Sequence, residues 1–143
     1  MPDIKHLITI DRPATDVFPL VSTGRGFTQW WAEDVFDDFG GRVSLGFFSR
    51  ATIYTLRQIQ AVSPTLAIWE CESGKEWQGT RIVFYLTQPV STTSLSFGHE
   101  GWLGETDYFR SCNTTWGELM YRLKAAAEGK KPGPLFGAKS LAY

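Results

Sequence analysis

An α+β fold is what the sequence predicts, a curved antiparallel sheet closed by one long C-terminal helix, and three observations carry it. Phe109, Cys112, Trp116, Leu119, Leu123 and Ala127 recur three or four apart, which makes one stripe along a helix. The segments from Val43 to His99 alternate apolar and polar residues or are rich in β-formers, with short turns between them. Aromatic residues are 15% of the chain, six Trp and ten Phe among them, and such large apolar side chains suit a core or a cavity wall.

The elements follow in order. Ile4 to Ile10 reads as a strand, ended by Asp11-Arg12-Pro13. Pro13 fits a helix entry, where its missing N–H costs nothing. Val17, Phe18, Leu20 and Val21 predict a short helix, broken at Ser22-Thr23-Gly24. Phe27, Trp30 and Trp31 share helical spacing and predict a second short helix. Gly40-Gly41 marks a turn, and Val43, Leu45 and Phe47 then alternate. Further strands are expected over Thr52–Val62, Leu66–Cys71, Trp77–Thr87 and Thr92–His99. Their short connections predict antiparallel neighbours. No Gly or Pro marks the turn between Phe47 and Ala51. The closing helix is expected over Thr106–Glu128, roughly 30 Å long. Thr106 or Asp107 caps its start, Lys124 suits its C-terminal dipole, and Gly129 is a good C′ residue. Residues 1–129 form the expected single domain. Residues 130–143 are an irregular tail in which Leu135, Phe136, Leu141 and Tyr143 are free to dock.

Strand parity selects the inner face. It holds Val43, Leu45 and Phe47; Ala67, Trp69 and Cys71; Thr80, Ile82, Phe84 and Leu86; and Leu95, Phe97 and His99. Trp69 faces inward because its neighbour Glu70 does not belong in an apolar interior without a partner. Trp116 and Met120 face these from the helix. The stripe would build a solid core as readily as a pocket, and spacing does not decide between them. A curved sheet and a straight helix fit poorly at their centre, which favours a cavity.

Other classes are excluded or disfavoured. Net charge is −1 and the one basic run is Lys130-Lys131, so there is no nucleic-acid footprint. Cys71 and Cys112 make no disulfide framework and match no metal spacing; reduced thiols are expected, although the sequence leaves pairing open. A metal site is not expected, since His6 and His99 are read as lying at opposite ends of the sheet order with no third ligand. No Gly-rich phosphate loop is present, and no cofactor is expected. No apolar run approaches the ~20 residues of a membrane helix, and no signal-peptide core follows Met1, so a cytoplasmic location is expected.

The order of strand, two short helices, a run of antiparallel strands and a long helix resembles the helix-grip, START-like (Bet v 1-like) superfamily. Within it the chain resembles the branch of the activators of Hsp90 ATPase and the polyketide-cyclase-like proteins. Four patches carry the resemblance: Ile8-Thr9-Ile10-Asp11-Arg12-Pro13-Ala14 with Val17-Phe18; Trp30-Trp31; Trp77 with Gly79-Thr80-Arg81-Ile82 and Phe84; and Leu95 to Trp102 followed by Trp116, Leu119, Leu123 and Gly129. It implies a sheet of six or seven strands wrapped around the closing helix. It does not imply one function, because a fold does not determine one.

The site expected from this reading binds a small hydrophobic, lipid-like or aromatic ligand without catalysis. Its residues are Trp31, Phe47, Trp69, Phe84, Phe97, His99, Trp116 and Met120, with Trp30 as a further shaping aromatic. A cyclase or hydratase would use His99 as acid/base and Tyr54 as a donor. The alternative for His99 is a buried imidazole hydrogen-bonded to its surroundings. Glu70 and Glu72 are read as a solvated strand edge, and Arg81 as exposed. A third reading is an Hsp90-type chaperone-interaction module; the activators carry a further N-terminal domain for which this chain leaves no room, so a chaperone partner is not expected. A homodimer through a sheet edge or the aromatic tail is compatible with the sequence.

Overall fold

The computed structural model describes residues 1–38 and 40–137. Strand β1 (Ile4–Ile10) is followed by helices α1 (Ala14–Ser22) and α2 (Gly24–Phe27). Strands β2 (Asp34–Asp37), β3 (Arg42–Phe47), β4 (Thr52–Val62), β5 (Leu66–Cys71), β6 (Arg81–Thr87) and β7 (Thr93–Glu100) come next, then helix α3 (Asp107–Ala127). All seven strands form one antiparallel sheet in the order β1-β7-β6-β5-β4-β3-β2.

The inner face is the one strand parity selects. Leu45, Leu56, Ala67, Ile82, Phe84, Leu86, Leu95 and His99 are completely buried. Helix α3 begins where expected, with the Thr106 hydroxyl accepting from the Phe109 N–H at 3.2 Å. It ends at a Gly129 with φ +82°, the left-handed residue that closes many helices. The outer face carries ion pairs: Glu72 binds Arg42 at 2.6 Å, and Arg57 lies between Glu70 and Glu72. Strand β5 is therefore central, and Glu70 is not on a strand edge. Arg81 is exposed, as expected.

Several boundaries differ from the sequence reading. Helix α2 stops at Phe27; Trp30 and Trp31 lie in the turn after it, and the Trp31 N–H donates to the Phe27 carbonyl at 2.8 Å. Strand β2 was not expected, because two of its four residues are Asp, a poor strand former. It is held at the sheet edge by Arg50, which grips Asp34 at 2.8 and 3.1 Å. The unmarked turn after Phe47 is made by Phe48, Ser49 and Arg50, all at positive φ (54°, 55° and 68°). The Trp77–Thr87 strand is shorter than expected. Residues 72–80 form a loop with Gly74, Glu76 and Gly79 at positive φ, and β6 starts at Arg81. His6 and His99 are not at opposite ends of the sheet: β1 pairs with β7, and His6 sits opposite Phe97.

The layers explain where space remains. Helix α1 packs on β5 and β6, while α3 packs on β1 and α1. The last carbonyls of α1 have no partners within the helix. They are met from below: Trp30 Nε1 donates to Leu20 O (2.9 Å), Trp69 Nε1 to Val21 O (3.0 Å) and Gln58 Nε2 to Ser22 O (2.9 Å). This locks α1 over the middle of the sheet. The N-terminal half of α3 and the β3–β4 end of the sheet are left facing each other across a gap.

Candidate functional site

The gap is a cavity of about 330 Å³. The sheet side supplies Phe47, Thr52 and Tyr54, with Phe48 from the left-handed turn. The β5–β6 loop supplies Lys75 and Trp77. Helix α3 supplies Tyr108, Ser111, Cys112, Thr115, Trp116 and Leu119, and Trp31 and Phe136 complete the wall.

Ring packing orders the wall. Tyr54 stacks on Trp77 with centroids 4.0 Å apart and planes 15° off parallel. Trp77 and Trp116 are tilted by only 22° at 6.1 Å. Phe47 meets Tyr54 edge-on at 5.4 Å and Phe136 edge-on at 4.9 Å. Gly74 makes the first stack possible, since a Cβ there would fall 2.1 Å from Tyr54 Cδ1. Tyr54 and Tyr108 hydrogen-bond through their hydroxyls and so join β4 to α3 across the gap. Burial raises the pKa of both phenols, so both stay protonated.

Phe136 reaches the wall because the chain returns after α3. Arg122 holds the carbonyls of Pro132 and Gly133, each at 3.0 Å. The N–H groups of Leu135 and Phe136 then donate to Trp30 O and Trp31 O, and Glu33 N–H donates to Phe136 O. Leu135 and Phe136 thus dock, while Leu141 and Tyr143 lie outside the described residues.

Of the eight residues expected at the site, Trp31, Phe47 and Trp116 line the cavity. Trp69, Phe84, Phe97, His99 and Met120 are placed in the packed core behind Trp116. Trp69 caps α1. Phe84 and Phe97 pack on each other at 5.4 Å, and Phe97 lies 4.4 Å from Trp116. Trp30 is also core, wedged under α1.

His99 is completely buried. Its Nδ1 accepts from Trp116 Nε1 at 3.1 Å, so the ring hydrogen is on Nε2. Nε2 donates to Thr80 Oγ1 at 2.8 Å, and Thr80 donates to the Trp77 carbonyl at 2.5 Å. Burial brings the His99 pKa down to about 3. Both ring nitrogens are used and the imidazole is neutral, which leaves no lone pair or proton for a substrate. Cys71 and Cys112 are separate buried thiols, and burial pushes Cys71 up to about 12. Among the described residues no three His, Cys, Asp or Glu side chains gather as metal ligands. No described helix is long and apolar enough to cross a membrane.

Sequence reasoning missed Trp77, Tyr108 and Phe136 as wall residues. Tyr108, Cys112, Thr115 and Leu119 are spaced four, three and four apart, so Tyr108 and Thr115 widen the core stripe on the side of Cys112 and Leu119. Their polar groups hid the widening. The signal for Trp77 was its position between Gly74 and Gly79, which belongs to a loop.

No protein-family model and no curated protein matches the sequence. Solved structures do. The Aha1 dimer from Colwellia psychrerythraea superposes with a TM-score of 0.82 at 25% identity, over 92% of this chain and 99% of that one. The chain has an Aha1-like helix-grip fold. The same helix grip is found in DynU16, a protein of the dynemicin biosynthetic locus, with a TM-score of 0.77 at 14% identity. That match covers 96% of this chain but 51% of DynU16, so this chain spans about half its length. CalU16 from Micromonospora echinospora matches with a TM-score of 0.74 at 16% identity, over 93% of this chain and 70% of that one. In this helix grip the open space lies beside the N-terminal half of the gripped helix, and its centre is packed.

Proposed function

We propose that the chain binds a small, mainly apolar molecule in the cavity between α3 and the β3–β4 end of the sheet, and does not transform it. The observation that carries this reading is the 330 Å³ of open space walled largely by aromatic rings. That volume is at the small end of ligand pockets, roughly 300–1,000 Å³. The neutral, fully bonded His99 argues against the cyclase or hydratase alternative. Trp31, Trp77 and Trp116 all border the space, so their fluorescence is the direct probe. Titration with flavonoids, sterols and fatty acids is expected to quench or shift it for at least one class. An unchanged spectrum with every class would sink the reading.

A second reading draws on the likeness to a protein solved as a dimer. The chain pairs with a second copy of itself in solution. Sedimentation equilibrium tests this, and a monomer mass across the concentration range would dispose of it. Association with Hsp90 stays the weaker alternative; a pull-down that recovers no chaperone removes it.

A further inference from the structure

The polar groups around the cavity are of one kind. Among the described lining residues Lys75 carries the only formal charge, and no carboxylate lines the space. Its ammonium stands over the Tyr108 ring, 5.7 Å from the centroid. The neighbouring Glu76 is engaged elsewhere, accepting from Thr106 Oγ1 at 2.5 Å. The indole N–H of Trp77 is buried, the residue being 5% exposed, and no oxygen or nitrogen accepts from it. Cys112 beside it offers only a weak sulfur acceptor. Buried donors normally have a strong acceptor, so one left with only a sulfur in a cavity-wall residue has an unmet preference for oxygen. The Tyr54–Tyr108 pair uses one hydroxyl hydrogen between its members, and the other has only the Cys112 sulfur, a weak acceptor, beside it. Cation and donors therefore surround the space. The near-parallel planes of Tyr54, Trp77 and Trp116 favour a flat ligand over a bulky saturated one.

We infer that the ligand is a flat aromatic acid, its rings lying among the wall aromatics and its carboxylate accepting from Trp77 Nε1 and the tyrosine pair near Lys75. This rests on the ligand-binding reading above and narrows it to a chemical class. A carboxylate supplies the acceptor lone pairs the wall lacks, and its charge is compensated by Lys75 at the mouth.

Calorimetric titration with three probes tests it: 2-naphthoate, its neutral methyl ester, and the flexible acid decanoate. The acid is expected to bind about tenfold more tightly than the ester, the worth of one charge-assisted hydrogen bond. It is also expected to bind more tightly than decanoate. Lys75→Ala, at an exposed position, and Trp77→Phe should each shrink the preference for acid over ester. Equal affinity for acid and ester, or a preference for decanoate, overturns the inference and leaves the ligand-binding reading standing. A preference untouched by both substitutions overturns it too, because neither proposed anchor would then be holding the carboxylate. Binding of none of the three overturns this inference, and the ligand-binding reading then stands or falls with the fluorescence titration above.

Discussion

Trp116 donates its indole hydrogen to Nδ1 of His99 across 3.1 Å, and this bond closes a chain that runs on through Thr80 to the Trp77 carbonyl. Each group in the chain is buried and each hydrogen has one destination. Trp116→Phe keeps a ring but removes the donor, stranding a buried acceptor. The expected loss is about 1–3 kcal/mol. Urea unfolding measures it, and a loss near zero would mean that the bond does not order the core.

The same residue sets a pH dependence. The His99 pKa is about 3 in the folded protein against an ordinary 6.5. The unfolded chain therefore takes up a proton that the folded chain refuses. Stability is full above the unfolded value and falls as pH drops from there toward the folded value, by up to about 1.4 kcal/mol per pH unit. Asp34, Glu72 and Glu128 are also lowered, but their losses set in only as pH approaches the ordinary carboxylate values of 3.8 and 4.5. Urea midpoints between about pH 7 and pH 5 isolate the histidine. The fall should flatten in His99→Gln, and an unchanged slope there would assign it to other groups.

The fold was legible because its signals are periodic. Parity put Leu95, Phe97 and His99 on one face, and spacing put Phe109, Trp116 and Leu123 on one stripe. Both are geometric consequences of repeat lengths that the chain cannot evade. The cavity was less legible. Trp116 belongs to the core stripe and the cavity wall at once, whereas Tyr108 and Thr115 sit one step around the helix among polar neighbours. Trp69, Phe84 and Phe97 look like wall residues from parity alone. That Trp69 and Phe84 are filler depends on α1 lying over β5 and β6, a tertiary fact held by the Trp30, Trp69 and Gln58 caps, and Phe97 is filled over by Trp116. The turn at Phe48–Arg50 carries no Gly or Pro, so its left-handed backbone left no mark in the sequence.

Gly74 is a close-approach position with φ +118°. Gly74→Ala would drive a methyl group into the Tyr54 ring and strain the loop. It is expected to cost more than about 1 kcal/mol and to unstack Tyr54 from Trp77. Near-ultraviolet circular dichroism should record the lost ring pair, and thermal melting the lost stability. A variant identical to the parent in both would contradict the packing described.

Phe136 caps the cavity without belonging to the sheet or to α3. Phe136→Ala should cost about 0.5–2 kcal/mol, less than the ~3–5 of a fully buried Phe. It should speed ligand release far more than it changes the association rate. Stopped-flow fluorescence with any ligand found above separates the two rates, and an unaltered off-rate would remove Phe136 from the binding wall.

The route of the chain after α3 has one more consequence. Leu135 and Phe136 borrow their backbone partners from Trp30 and Trp31, so part of the cavity wall is an appendage to the sheet-and-helix framework. Framework residues are constrained twice, by packing and by any ligand, whereas the appendage answers mainly to the ligand. On the proposed binding function, drift around Phe136 would retune which ligand fits while the architecture stayed the same. Among proteins sharing this architecture, differences in cargo are then expected to track the segment after the closing helix more closely than the strands.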